Sequence, residues 1–173
     1  MYIIQSSTEM KKDPADNSCL ETECLFGEKV EIIDKYLDWI FCKLETDNYC
    51  GWIKKSSLGV LDNPTYRVIS NRSFIYERKD VKSNCLLYLP MGAKLVIRNI
   101  QSAWAEVVLF KNYNIEIGYT PSNHVVKINH IVKDWVGIAE NLINTPYKWG
   151  GRDTIGIDCS ALLQLSYENY GEF

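Results

Sequence analysis

The sequence predicts a mainly β protein, in which two small barrels are followed by a C-terminal helical segment. Two stretches of strand-like alternation resemble one another, which indicates an internal repeat. Aromatic residues make up 12% of the chain, a share that favours β-rich modules over a helical bundle. After residue 128 the pattern changes from strand periodicity to helical periodicity.

The composition excludes several classes of function. The net charge of −3 offers no basic stripe that could neutralise a row of phosphates, so we expect neither nucleic acid nor an anionic membrane as a partner. No apolar run approaches the roughly 20 residues that span a bilayer. The start of the chain lacks the pattern of a secretion signal, and we therefore expect a cytoplasmic location.

The first barrel is predicted around residues 24–58, which read as strand, turn, strand, turn, strand. The segments KVEII and WIFCKLE have strand periodicity, and TDNYCGW supplies turn residues. Residues 88–125 repeat the pattern with a hairpin that is two residues longer. The landmarks that recur in register are Gly27 with Gly92, Trp39 with Trp104, and Gly51-Trp52 with Gly118-Tyr119.

The pattern GE-x-V-x-I, followed by W-x-x-x-x-L-x-x-D-x-Y-x-G-W-I, resembles a bacterial SH3-type (SH3b) domain, and the second repeat resembles a more divergent copy. We therefore expect SH3b-like domains at residues 1–62, with an N-terminal extension, and at 63–128. Trp39 and Trp104 are interpreted as packing residues of the barrels, the usual role of large aromatic side chains.

The helical segment begins with an amphipathic pattern over residues 130–144. Ile131, Trp135, Ile138, Ala139 and Leu142 fall on one helical face. Thr145-Pro146 ends this helix, because proline lacks an N–H group and disfavours helix in the preceding residue. A glycine-rich loop follows. A second helix is predicted from Cys159, with apolar Leu162, Leu163, Leu165 and Tyr170, and with Gly171 as its terminator.

Cys159 stands where the second helix begins. A helix N-terminus stabilises a thiolate, which is the nucleophilic form of cysteine, and its backbone amides can receive an oxyanion. Asp158 or Ser160 can cap the same helix. From these residues alone, a packing cysteine and a catalytic cysteine are both compatible with the pattern.

The segment A-x-x-L-I-x-T-P-Y-x-W-G-G-R-x-x-x-G-I-D-C-S-A-L-L-Q resembles the NlpC/P60 family of papain-like cysteine peptidases, over roughly residues 131–171. The resemblance implies that residues 129–173 are the N-terminal helices of a papain-like α+β NlpC/P60 domain. One departure is Ala161, where the family usually has glycine; alanine favours helix by about 1 kcal/mol.

The resemblance also implies roles for individual residues. Cys159 corresponds to the nucleophile, and Tyr147 to a tyrosine that contacts substrate or the oxyanion. Asp158 and Ser160 correspond to residues that recognise the free α-amine of an N-terminal L-alanine. Helix capping by Asp158 and loop packing by Tyr147 and Trp149 are the competing roles. Tyr49 and Trp52 are candidates for contacts from the first SH3b unit, outside the catalytic set.

A histidine base is expected on strands downstream of the nucleophile helix in this family, whereas this sequence ends at Phe173. We therefore expect an incomplete catalytic domain that is inactive by itself: a truncation, an incomplete reading frame or one half of a split enzyme. His124 and His130 precede Cys159, and we do not expect either to substitute, because a base must lie within about 3 Å of its proton.

Other cysteines are predicted to be structural. Cys19, Cys24, Cys42, Cys50 and Cys85 lack the spacing of a zinc site, and no metal or cofactor is expected. Cys42 and Cys50 flank a predicted hairpin, where a disulfide is conceivable. Without a secretion signal, reduced and packed thiols are favoured.

Two functions follow from the resemblance. The first is a cell-wall peptide hydrolase that cleaves the γ-D-glutamyl–diamino acid bond of peptides with a free N-terminal L-alanine, in wall recycling. Its partners would be the murein peptide and a complementing C-terminal half or partner protein. The alternative is a non-catalytic SH3b module that recognises cell-wall peptides or a protein partner.

Overall fold

A computed structural model describes residues 1–109, 116–131 and 134–170, without the side chains of residues 169 and 170. It confirms the predicted mainly β fold with helices near the C-terminus. The strands are β1 (Tyr2–Ile3), β2 (Ser7–Lys11), β3 (Leu20–Leu25), β4 (Val30–Tyr36), β5 (Trp39–Leu44), β6 (Cys50–Lys54), β7 (Leu58–Gly59), β8 (Tyr66–Val68), β9 (Arg72–Tyr76), β10 (Cys85–Pro90), β11 (Lys94–Leu95), β12 (Ile97–Gln101), β13 (Trp104–Val108), β14 (Ile117–Pro121), β15 (Val125–Lys127), β16 (Arg152–Asp153) and β17 (Gly156–Ile157). The helices are α1 (Trp135–Glu140) and α2 (Cys159–Tyr170).

The two sequence repeats form two five-stranded sheets with equivalent strand orders. In the first β unit (β1–β7), a five-stranded sheet has the order β3-β2-β6-β5-β4. In the second β unit (β8–β15), the five-stranded sheet has the equivalent order β10-β9-β14-β13-β12. The short strands also correspond, since β1 pairs with β7 in one unit and β8 pairs with β15 in the other. The two units therefore have the same topology.

The glycine landmarks mark equivalent backbone positions. Gly27 and Gly92 both have a left-handed conformation, with φ of 77° and 85°. At Gly51 a Cβ atom would lie 2.9 Å from the carbonyl oxygen of Lys11, and at Gly118 a Cβ atom would lie 2.2 Å from Ile75 Cγ2. Glycine is needed here because the neighbouring strand leaves no space for a side chain.

Three apolar cores meet at one short segment of β3 and the residue after it. Cys24 belongs to the core of the first β unit, Leu25 to a core shared with α1 and α2, and Phe26 to the core of the second β unit. All three side chains are completely buried. Because Ile4 and Phe26 pack in the core of the second unit, the cores do not separate at residue 62. The domain boundaries given above stay predictions.

The helical segment packs on both β units. Leu25 and Met91 lie in one buried cluster with Ile138, Leu142 and Leu165. Trp135 also stacks on Tyr167 of α2, with ring centroids 5.0 Å apart. These contacts cover part of the apolar faces that the sequence assigned to the two helices, whereas Leu163 of α2 is exposed.

The first helix is shorter than its sequence pattern predicts. α1 covers Trp135–Glu140, and hydrogen-bonded turns continue to Thr145. The carboxylate of Asp134 accepts a hydrogen bond from Gly137 N at 2.9 Å, so the helix begins after this cap. Ile131 precedes the cap and is exposed, so the prediction that it lies on the packed face is wrong. Gly171, the predicted terminator of α2, lies outside the described residues.

The cysteines divide into two groups. All six are free thiols: Cys24 and Cys42 are buried, and Cys19, Cys50, Cys85 and Cys159 are exposed. The prediction of packed thiols is thus wrong for Cys19, Cys50 and Cys85. Cys42 pairs with Gly51 and Cys50 with Lys43, so the two thiols do not oppose each other across the hairpin. Burial raises the pKa of Cys42 to about 12.

No helix in the described ranges is both long and apolar enough to cross a bilayer.

Candidate active site

The glycine-rich segment forms a compact hairpin in front of α2. Lys148 N donates to Ile157 O at 3.1 Å, and Ile157 N donates to Pro146 O at 3.0 Å. β16 and β17 pair in the same segment. A Cβ atom at Gly151 would lie 2.3 Å from Gly156 O, so only glycine allows this approach. The hairpin therefore brings residues 146–148 beside the start of α2.

Cys159 is the first residue of α2, and its side chain is exposed. The preceding residue, Asp158, caps the helix: its Oδ1 accepts from Ala161 N at 2.7 Å and from Ser160 Oγ at 2.8 Å. The first N–H groups of a helix have no partner within the helix, and they can face an anion that forms beside Cys159. The geometry suits a nucleophilic thiol with an oxyanion site.

The second carboxylate oxygen of Asp158 holds the loop. Asp158 Oδ2 accepts from Gly150 N at 3.0 Å, and Asp158 N donates to Gly151 O at 3.0 Å. Asp158 thus joins the hairpin to the helix that carries Cys159. Its capping role is established by these bonds, while recognition of a substrate amine by Asp158 and Ser160 stays a prediction.

The two aromatic residues of the loop differ in their contacts. Tyr147 forms a parallel bridge with Ile157, and its side chain is 67% exposed. Trp149 is 68% exposed, but its Nε1 donates to Leu20 O in the first β unit at 3.1 Å. Trp149 therefore ties the loop to β3. Tyr147 is accessible to a ligand, and its role in substrate contact stays a prediction.

A buried ion pair joins the hairpin to the first β unit, and the sequence pattern did not predict it. Arg152 and Glu28 are each 1% exposed, and they form a forked pair with distances of 2.9 Å and 3.0 Å. The two residues are far apart in the chain, and neither belongs to a recognisable motif of charged residues. Only the GE pair of the first repeat and the Arg after WGG hinted at their positions.

The electrostatics of this pair follow from burial and proximity. Burial would raise the pKa of Glu28, but the charges of Arg152 and Lys94 and the hydrogen bonds from Arg152 and Leu25 N together hold that pKa below its ordinary value. Burial would lower the pKa of Arg152, but the charges of Glu28 and Glu168 and the hydrogen bonds to Glu28 together raise it. Nearby on α2, burial raises the pKa of Glu168. Glu28 and Arg152 are therefore both charged near neutral pH.

The histidines lie elsewhere. His124 follows β14, and its Nδ1 is 2.8 Å from Ser73 Oγ of β9. Burial lowers the pKa of His124. His130 is exposed, and its carbonyl oxygen accepts from Arg67. Within the ranges that the structure describes, neither imidazole hydrogen-bonds to Cys159; that neither is the base stays a prediction.

The first β unit also approaches α2 through the loop between β5 and β6. Gln164 Nε2 donates to Asp47 Oδ2 at 3.2 Å. Tyr49, in the same loop, is 45% exposed. Trp52 instead packs on Phe41, with ring centroids 5.2 Å apart. Of the two candidates from this unit, Tyr49 has the accessible ring.

Comparisons with known proteins show likeness in sequence and fold. Residues 10–58 match the family described as the bacterial dipeptidyl-peptidase Sh3 domain. Dipeptidyl-peptidase 6 of Lysinibacillus sphaericus is 25% identical, over 95% of this chain and 67% of that protein. The gamma-D-glutamyl-L-lysine dipeptidyl-peptidase of Bacillus cereus is 24% identical, over 88% of this chain and 51% of that protein.

The fold has a counterpart among solved structures. An NlpC/P60 family protein from Bacillus cereus superposes with a TM-score of 0.83 at 18% identity, covering 98% of this chain and 72% of that one. The chain thus spans between about half and two thirds of the two curated relatives named above.

Proposed function

We propose that this NlpC/P60-related chain with its bacterial SH3 unit carries the nucleophile of a cell-wall peptide hydrolase. The reaction is cleavage of the γ-D-glutamyl–diamino acid bond in peptides with a free N-terminal L-alanine. The observation that carries the proposal is the exposed Cys159 at the capped start of α2. Relatives named as dipeptidyl-peptidases, at 22–25% identity, support the same class of reaction.

The chemistry assigned to this chain is nucleophilic. The thiolate of Cys159 attacks the γ-carbonyl carbon, and the carbonyl oxygen becomes an oxyanion beside the first amides of α2. Collapse of this intermediate expels the amine of the diamino acid and leaves a thioester, which water hydrolyses. Asp158 would attract the α-ammonium group of the substrate. The proposal assigns no residue as the base.

A second candidate is a module that binds the same peptides without cleaving them. The observation that favours it is that, among the described contacts, the His124 imidazole hydrogen-bonds with Ser73 and not with the Cys159 thiol. Both candidates predict peptide binding, and only the first predicts turnover that depends on Cys159 once a complementing C-terminal half supplies the base.

The test measures hydrolysis of L-Ala-γ-D-Glu-diaminopimelate as the release of L-Ala-D-Glu, with a complementing C-terminal half added to supply the expected histidine base. If the first candidate holds, Cys159→Ala lowers turnover by about 10⁴-fold or more, because it removes the nucleophile. Cys50→Ala is the matched control, since Cys50 is also an exposed thiol and should leave the rate unchanged. Turnover that survives Cys159→Ala would contradict the first candidate. Saturable binding by the wild type without turnover would support the second.

Asp158→Asn separates the capping role of this residue from substrate recognition. Asparagine is as good an N-cap as aspartate, but its NH₂ group cannot accept from Gly150 N. We expect a loss of about 1 kcal/mol in the free energy of unfolding, and about tenfold weaker binding of the unblocked peptide. Binding is measured by calorimetry, with the N-acetylated peptide as the control. If the wild type and Asp158→Asn bound the unblocked peptide with equal affinity, Asp158 would be assigned to capping alone.

A further inference from the structure

A line of polar contacts runs from the first β unit to the Cys159 helix. It starts at Glu28, two residues after Phe26, the last of the three residues that enter three cores. Both of its carboxylate oxygens bind Arg152; Oε2 also accepts from Leu25 N at 2.7 Å, and Oε1 from Thr46 Oγ1 at 3.1 Å. Glu28 is therefore fixed in place by its own unit, independently of the loop that it holds.

Glu23 holds the same loop at further points. Its Oε2 accepts from Arg152 N at 2.9 Å, and its backbone carbonyl accepts from Arg152 Nη1 at 3.0 Å. Its Oε1 pairs with Lys148 Nζ, and its N–H donates to Gly150 O at 2.8 Å. One residue of β3 thus contacts three residues of the hairpin. The hairpin therefore lies against β3, which is the edge strand of its sheet.

The next contact reaches the helix itself. Gly150, whose carbonyl is held by Glu23, donates its N–H to Asp158 Oδ2. Asp158 in turn caps α2, where Cys159 is the first residue. Two hydrogen bonds in series therefore connect Glu23 to Asp158, the cap of the helix that begins with Cys159.

We propose that Glu23 and Glu28 are positioning residues for Cys159, which act through Arg152 and the hairpin in front of α2. The positioning role rests on the proposed function, because it presupposes that Cys159 is the nucleophile. The contacts that support it do not depend on that function. Burial of apolar surface has no preferred direction, whereas a forked guanidinium–carboxylate pair fixes distance and angle. The buried pair thus sets where the hairpin, and with it the start of α2, lies on β3.

The experiment measures the reactivity of Cys159 in the full chain. Iodoacetamide alkylation is followed at each cysteine by mass spectrometry, and the rate at Cys159 is divided by the rate at Cys50 in the same molecule. Two variants weaken the positioning contacts while keeping a polar side chain. Arg152→Lys retains the charge but loses the fork, and Glu23→Gln loses the ion pair with Lys148.

We expect each variant to lower the Cys159/Cys50 rate ratio by at least about threefold, because the thiol loses its fixed place at the helix N-terminus. Glu45→Gln is the matched control, because Glu45 forms an exposed ion pair with Lys29 in the same unit. It should leave the ratio unchanged. Circular dichroism and thermal unfolding show which variants are folded, and Glu23→Gln decides the matter if Arg152→Lys does not fold.

An unchanged ratio in a folded Glu23→Gln variant overturns the inference. This readout needs no substrate, so it is separable from the proposed function. If hydrolysis proves independent of Cys159 while the ratio falls, the proposed function fails and the positioning contact stands. If hydrolysis depends on Cys159 while the ratio is unchanged, only the positioning inference fails. Where turnover is measurable, the variants should lower kcat and leave KM nearly unchanged.

Discussion

Gly27→Ala should destabilise the protein by more than about 4 kcal/mol, an exceptional loss for a single substitution that here has a steric cause. Gly27 has φ of 77°, which already costs a side chain about 1–2 kcal/mol. A Cβ atom there would lie 1.8 Å from the carbonyl oxygen of Lys94. This backbone cannot easily retreat, because Lys94 N donates to Phe26 O at 2.8 Å. The substitution therefore forces apart the junction between the two β units.

Gly92→Ala is the matched control from the equivalent position of the second unit. Its φ of 85° imposes a similar conformational cost. The new Cβ atom would lie 2.8 Å from Leu165 Cδ2, the end of a side chain that can rotate. We expect a loss of about 2 kcal/mol. Urea unfolding followed by tryptophan fluorescence measures both, and equal losses would contradict the steric argument.

Glu28→Leu should cost about 3–5 kcal/mol of unfolding free energy, because it leaves the guanidinium of Arg152 buried without its charge partner. Adding Arg152→Met should restore much of the loss, since a buried ion pair is often no more stabilising than apolar residues of similar size. A double-mutant cycle in urea measures the coupling. For comparison, Glu45→Leu breaks an exposed pair with Lys29 and should leave the stability nearly unchanged, because solvent screens that pair. A double variant as unstable as Glu28→Leu would contradict this account.

The same pair predicts a pH dependence. The pKa of Glu28 is lower in the folded protein than in the unfolded chain, so its stabilisation is present above the unfolded pKa of about 4.3. It is lost as the pH falls through the folded pKa. Glu168 acts in the opposite direction, because burial raises its pKa and protonation relieves the cost. The difference in stability between wild type and Glu28→Leu should therefore shrink below about pH 4, as measured by urea unfolding across pH.

Much of the fold could be predicted from local pattern. The duplicated landmarks gave two units of the same strand order, and Gly27 and Gly92 proved to share one backbone conformation. The start of α2 at Cys159 was also predictable, because the capping residue and the glycines before it are local signals. The start of α1 was not predictable in this way. The apolar spacing already begins at Ile131, before the Asp134 cap, and such spacing does not show where a helix begins.

The sequence by itself determined the elements whose cause lies within a few residues: the strands and turns of both repeats, the proline stop, and a cysteine at a helix start. Only the tertiary structure decided that Cys24, Leu25 and Phe26 enter three different cores, and that Glu28 pairs with Arg152. Strand alternation specifies which face is buried, but not which partner buries it. A buried charge is stable only beside an opposite charge, and that partner is 124 residues away along the chain.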